Sequence, residues 1–287
     1  MEFTYLKNCK TKEDVTKLMK FNSDFIVPMI YDCISKNLFK ENPKLLALLI
    51  RNVIGEEVTE KDIFLGSESV PRTNFDEKMG NQDIFVVSLD KVTNFEINNR
   101  KRRNKKLDDK NLTYVGSLMS FYYGKAIRQI NFQNYDIIDD KDEIQKFTFK
   151  NQHGKDRKNK VYIYDVNVAK FKGISYINSK YEKEFILLMK IFLLDSKKKI
   201  KEIIGDNEFM KEVYTMHESL STEGFAFKHF PDELLNQLEK EEEREEGMIE
   251  GAKKKTLELA KKMIKEGIDA SSVSKITGLS KDKIKSL

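Results

Sequence analysis

One stretch constrains the fold more than any other: Gly80–Asn98, GNQDIFVVSLDKVTNFEIN. DIFVVS is β-branched and aromatic, Asp90-Lys91 supplies a turn, and Val92 to Asn98 forms a second run. Two such runs joined by a short polar turn predict a β-hairpin. In the second strand Phe95 and Ile97 share one face, while Asn94, Glu96 and Asn98 share the other. The chain must therefore bury a sheet whose two faces differ in polarity.

The elements around the hairpin predict what covers it. Asn42 caps a helix with Pro43 in its first turn, Leu45, Leu48, Leu49 and Val53 repeat at helical spacing, and Gly55 closes it. A second helix is expected over Leu112–Tyr123, and a strand within Ala126–Tyr135 through IRQINF. Phe147-Thr148-Phe149 and Val161–Val168 read as another hairpin around the loop NQHGKDRKNK. Beyond Lys180 the pattern is helical. Phe185, Leu188, Met189 and Phe192 form one face, and Asn207 caps a helix carrying Phe209, Val213 and Met216. Strands followed by helices predict an α/β fold, a mixed sheet flanked by helices. With 287 residues, 39% hydrophobic, 19 Phe and 11 Tyr, there is ample material for such a core.

The C-terminal part changes in character. Glu239–Glu250 carries seven acids against two bases, and Lys253–Leu287 ten lysines against four acids. Three segments are expected: residues 1–235 as the main domain, 236–256 as a charged connecting helix, and 257–287 as a trihelical tail. In the tail, Leu257, Ala260 and Ile264 mark a first helix ending at Gly267. Asp269 caps a second, with Val273 and Ile276, and Gly278 makes a tight turn. Ser280 caps a third, with Ile284 and Leu287 facing inward. Two short helices across a glycine turn fit a helix-turn-helix, which reads DNA, and equally a small clip that packs on protein.

Several function classes are disfavoured. No apolar run approaches the roughly 18 residues of a membrane helix, and MEFTYLKNCK lacks the apolar core of a secretory signal. A cytoplasmic protein with no membrane partner is expected. Cys9 and Cys33 match no zinc or redox spacing. His153, His217 and His229 are scattered and read as ordinary surface or core residues. There is no P-loop and no GxGxxG, so no nucleotide cofactor is expected.

Asp83 and Glu96 are the candidate functional residues. With the turn near Asp90 they lie opposite or diagonal across the hairpin, ~5–8 Å apart at Cβ. Two carboxylates so close repel one another unless a cation lies between them. Mg²⁺ (or Mn²⁺) suits such a pair, and the backbone carbonyl of Ile97 offers a third ligand. The bland alternative is a strand-end Asp and a surface Glu sharing no ligand. Arg100, Lys101, Arg102, Arg103, Lys105 and Lys106 follow at once, as a solvated loop or a phosphate-binding patch.

Three stretches resemble the PD-(D/E)XK nuclease-type transposase family, in its recombination-promoting, Rpn-like group. They are NQDIFVV with NFEINN; LTYVGSLMSFYYG followed by IRQINFQNY; and the tail LELAKKMIKEGIDASSVSKITGLSKDKIKSL. The resemblance runs from about Asn42 onward and implies a restriction-endonuclease-like core with a helical C-terminal extension. It also implies Mg²⁺-dependent hydrolysis of DNA, with Asp83 and Glu96 on the metal and Asn98 positioning water. The third position is Lys in the general motif and Gln in this group. Asn98 keeps the amide but is one methylene shorter and supplies no positive charge, for which Lys101 or Lys105 of the following loop would substitute. Glu56 and Glu57 follow the first helix, from which an acid sometimes completes such sites. The Arg100–Lys106 run would hold phosphates, and a single-site nuclease making double-strand breaks would act most simply as a homodimer. Two functions remain open: a metal-dependent DNA endonuclease, and a weak or inactive relative that binds DNA or protein through the same fold.

Overall fold

The computed structural model describes residues 3–66, 84–99, 105–134, 141–155, 160–222 and 225–285. They fall into two compact units, Met1–Pro231 and Asp232–Leu287.

The first unit opens with three helices, α1 (Lys12–Phe21), α2 (Asp32–Lys40) and α3 (Pro43–Ile54). Sequence reasoning locates α3 within its observed bounds because every signal agrees. Asn42 Oδ1 accepts the Leu45 N–H at 3.0 Å, Pro43 opens the helix, and Gly55 ends it at φ +78°. The other two helices carry no such consensus and are additions to the expected fold. Thr11 and Asp14 form a reciprocal capping box at the start of α1.

The hairpin follows as β1 (Ile84–Val87) and β2 (Lys91–Asn98), antiparallel with Ile84 opposite Phe95 and Val87 opposite Val92. Helix α4 (Lys105–Phe121) then crosses to β3 (Ala126–Gln133), which lies parallel to β2. Strand β4 (Ile144–Phe147) pairs antiparallel with β5 (Val161–Asn167), and β5 runs parallel to β3. The strand order is β1-β2-β3-β5-β4. This is a mixed open sheet flanked by helices, the restriction-endonuclease-like α/β architecture expected above, followed by C-terminal helices. Two boundaries need correction. Helix α4 begins at Lys105, seven residues before the expected Leu112, because KKLDDKN has helix-forming residues without an apolar period. Strand β4 covers Ile144–Phe147 rather than Phe147–Phe149.

Helices α5 (Lys183–Ile191), α6 (Lys197–Ile204) and α7 (Glu208–Thr222) follow the sheet. Phe39 of α2 and Phe192 after α5 meet Phe95 and Phe132 of the sheet, with ring centroids 5.6–6.4 Å apart. On α7 the buried face is Met210, Val213, Tyr214 and His217. Phe209 and Met216, expected to share it, are only half-buried. Asn207 does cap the helix, accepting the Met210 N–H at 2.9 Å.

Helix α8 (Phe225–Lys265) is continuous, so Leu257, Ala260 and Ile264 lie in its last turns rather than in a short helix of their own. It is followed by α9 (Ala270–Thr277) and α10 (Lys281–Lys285). Asp269 caps α9 by accepting the N–H groups of Ser271 and Ser272, and Gly278 turns the chain at φ +73°. Ala260, Met263, Val273 and Ile284 form the small core of this unit. Met263 takes the buried place expected of Ile264, while Ile276 is 64% exposed. Leu287 lies outside the described residues.

Candidate metal centre

Residues paired across neighbouring strands project to the same side, and alternate residues to opposite sides. The register therefore sorts the sheet into two faces. One carries Phe95, Ile97, Ile130, Phe132, Tyr164 and Val166, and packs on the helical layer that includes Phe39 and Phe192. The other lies on the α4 side and changes character along the strands. Its first rank, Val87, Val92, Ile127 and Val161, is apolar and holds Val115 and Leu118 of α4. Its second rank is Phe85, Asn94, Gln129 and Ile163, and its third runs Glu96, Asn131, Asp165 and, from β4, Gln145. Its fourth is Asn98, Gln133 and Asn167.

Asn94, Glu96, Asn98, Gln129, Asn131, Gln133, Asp165 and Asn167 are all buried. Asn131 Nδ2 donates to Asp165 Oδ1 at 2.8 Å, and Gln129 Nε2 donates to Asn131 Oδ1 at 2.9 Å. Several amide atoms on this face have no hydrogen-bond partner among the described residues: both of Asn94, Asn98 Nδ2, Gln129 Oε1, Gln133 Oε1 and Gln145 Oε1. Asn111, in the N-terminal half of α4, is also buried with its Oδ1 unpartnered. It lies seven residues before Leu118, ~10 Å along the helix, which equals about three residues of strand. That places it over the second and third ranks. Buried polar atoms are nearly always satisfied, so such a concentration marks a face shaped for more than packing.

The structure places the expected site residues as follows. Glu96 and Asn98 lie on β2, on this polar face, at 3% and 2% exposure. Ile97 lies between them, pairs with Phe132, and turns its side chain to the opposite face. Asp83 and Arg100, Lys101, Arg102 and Arg103 lie outside the described residues. Lys105 and Lys106 form the first turn of α4. Among the described residues no three His, Cys, Asp or Glu side chains converge on one point.

Glu56 belongs elsewhere. It pairs with Lys91 and Arg128, whose side chains share the face opposite Glu96. Burial pushes its carboxyl up, but the two cations hold it below the ordinary carboxylate range. Glu57 lines a cavity of about 670 Å³ with Arg51, Asn52, Tyr164 and Tyr181, away from the polar ranks. His217 is a core residue: its Nε2 lies 2.6 Å from the Val27 carbonyl oxygen, and burial pushes its pKa down to about 4.

Sequence reasoning missed Gln129, Asn131 and Asp165. Alternation in IRQINFQ places Gln129 and Asn131 on one face, but only the β2–β3–β5 register joins that face to Glu96.

Residues 253–287 match the family model described as "Rpn/YhgA-like nuclease family, C-terminal HTH domain". The match supports a relationship to the Rpn-like family. Neither the comparison with curated proteins nor that with solved structures gave a match.

Proposed function

We propose that this chain is a metal-dependent DNA endonuclease of the recombination-promoting, Rpn-like type, using Mg²⁺ or Mn²⁺. The observation that carries the proposal is the burial of Glu96 in a polar rank on the α4 side of a restriction-endonuclease-like sheet. The matched tail adds the nuclease family and, as a helix-turn-helix, a DNA partner.

In this reading Asp83 and Glu96 hold the cation. In sequence Asp83 directly precedes Ile84, and Ile84 pairs with Phe95, the residue before Glu96. The Ile97 carbonyl is the third protein ligand. The donor set suits a hard cation that keeps part of its water, because the face that carries Glu96 also carries the unpartnered amide oxygens of Asn94, Gln129 and Gln133. When bound, the cation supplies Lewis acidity toward the scissile phosphate and a more acidic water. Asn98 Nδ2, which has no partner among the described residues, donates to that water and orients it. Arg100–Arg103 with Lys105 and Lys106 neutralise flanking phosphates. A homodimer would present two such sites to a duplex, and the protein would act in the cytoplasm.

A second reading, a non-cleaving module that binds DNA or protein, is favoured by Asn98, which lacks the positive charge of the general motif. Plasmid cleavage separates the two. The endonuclease reading predicts Mg²⁺-dependent nicking or linearisation, blocked by EDTA and abolished in Asp83→Ala and Glu96→Ala. No cleavage by the wild-type chain, with salt-sensitive DNA binding retained, establishes the module. Cleavage surviving either substitution removes the site assignment.

A further inference from the structure

We infer that Asp165 is a positioning residue that fixes the polarity of the amides around the cation, acting through Asn131 and Gln129. The inference rests on the cation site proposed above.

An ionised carboxylate only accepts hydrogen bonds, whereas a primary amide donates at one end and accepts at the other. Asp165 Oδ1 takes the Nδ2 of Asn131 at 2.8 Å, which obliges Asn131 to turn its Oδ1 toward Gln129. That oxygen takes the Nε2 of Gln129 at 2.9 Å, so Gln129 presents its Oε1. The relay thus converts a carboxylate on β5 into an oriented acceptor in the rank beside Glu96. Gln129 pairs with Asn94, and Asn131 pairs with Glu96, so the acceptor flanks the carboxylate.

On or over this face the side-chain oxygens without partners among the described residues are Asn94 Oδ1, Asn111 Oδ1, Gln129 Oε1, Gln133 Oε1 and Gln145 Oε1, against two such donors, Asn94 Nδ2 and Asn98 Nδ2. Water bound to a divalent cation gives one lone pair to the metal, keeps a second that a donor such as Asn98 Nδ2 can meet, and directs both hydrogens outward. A shell of amide oxygens is complementary to such water, and hydrogen-bond partners outside the ligands orient a metal's shell. Here those oxygens, rather than a lysine, receive the coordinated water.

Mn²⁺ alone, titrated into the full-length chain by calorimetry and by water-proton relaxation, tests the relay without any cleavage assay. Asp165→Asn removes the acceptor-only anchor and lets both amides reverse. Gln129→Met removes the final acceptor but leaves Asp165 in place. Both are expected to weaken Mn²⁺ binding by about 10-fold or more, with a cooperative melt retained. Gln129→Met decides the matter if Asp165→Asn fails to fold. Wild-type affinity in Gln129→Met, with Glu96→Gln unable to bind, overturns the relay and leaves the cation site standing. Wild-type affinity in Glu96→Gln overturns the site itself, and the relay with it.

Discussion

The two faces of the sheet are built from the same strands, one residue out of step, and they serve opposite ends. On the helical side Phe95 and Phe132 meet Phe39 and Phe192 in a continuous aromatic layer. On the α4 side the first rank is equally apolar, but the next three bury amides and carboxylates, several without partners among the described residues. Burying an unsatisfied amide costs stability, whereas burying an aromatic ring adds it. One face holds the fold together, and the other gives up stability for a polar chamber. A single register sets both.

Substitutions should therefore act in opposite directions on the two faces. The largest expected effect is on the aromatic side. Phe132→Ala, at a fully buried position, should destabilise the first unit by about 3–5 kcal/mol in urea unfolding. A loss under 1 kcal/mol would mean that this face is not the main core.

The helical layer should also respond to acid. His217 is fully buried, and its pKa falls from 6.5 to about 4. The neutral ring is favoured in the folded state, so its contribution is complete above the unfolded value of 6.5. It is lost as pH falls from 6.5 through about 4, at a limiting slope of about 1.4 kcal/mol per pH unit. Urea midpoints at pH 7 and pH 5 measure this, with His217→Gln, which does not titrate, flattening the difference.

On the polar side the sign should reverse. Asn94 is fully buried with both side-chain polar atoms unpartnered among the described residues, so Asn94→Leu should raise stability by about 1 kcal/mol. Destabilisation would show that Asn94 is satisfied in solution. The smallest effect is expected at the Arg51–Glu182 pair, which makes two 2.8 Å hydrogen bonds but is partly exposed. A double-mutant cycle there should give no more than about 1 kcal/mol.

What was legible in the sequence follows the same division. Local signals located α3 through its Asn42 cap, Pro43 and Gly55, and the β1–β2 hairpin through its alternation. The tail turn was equally readable, because Gly278 alone satisfies a left-handed position there. Helix α4 began earlier than expected because its first turns carry charges and no apolar period. The polar chamber was legible only in part. Glu96 and Asn98 stand out within one strand, but parallel pairing with β3, and of β3 with β5, is a long-range choice with no local signature. Asp165 in VYIYDVN reads alone as a strand residue, and the register makes it a neighbour of Asn131. Glu56 is the converse case: closeness in sequence to helix α3 suggested the site, while Lys91 and Arg128 hold it on the other face.

Thermal unfolding of the wild-type chain and of Glu96→Gln, each in EDTA and in saturating Mg²⁺, tests the central claim most directly. If the polar face exchanges stability for cation binding, Glu96→Gln melts no lower than wild type in EDTA, and only the wild type gains from Mg²⁺. Equal gains in both, or a Glu96→Gln chain that melts well below wild type without metal, would contradict it.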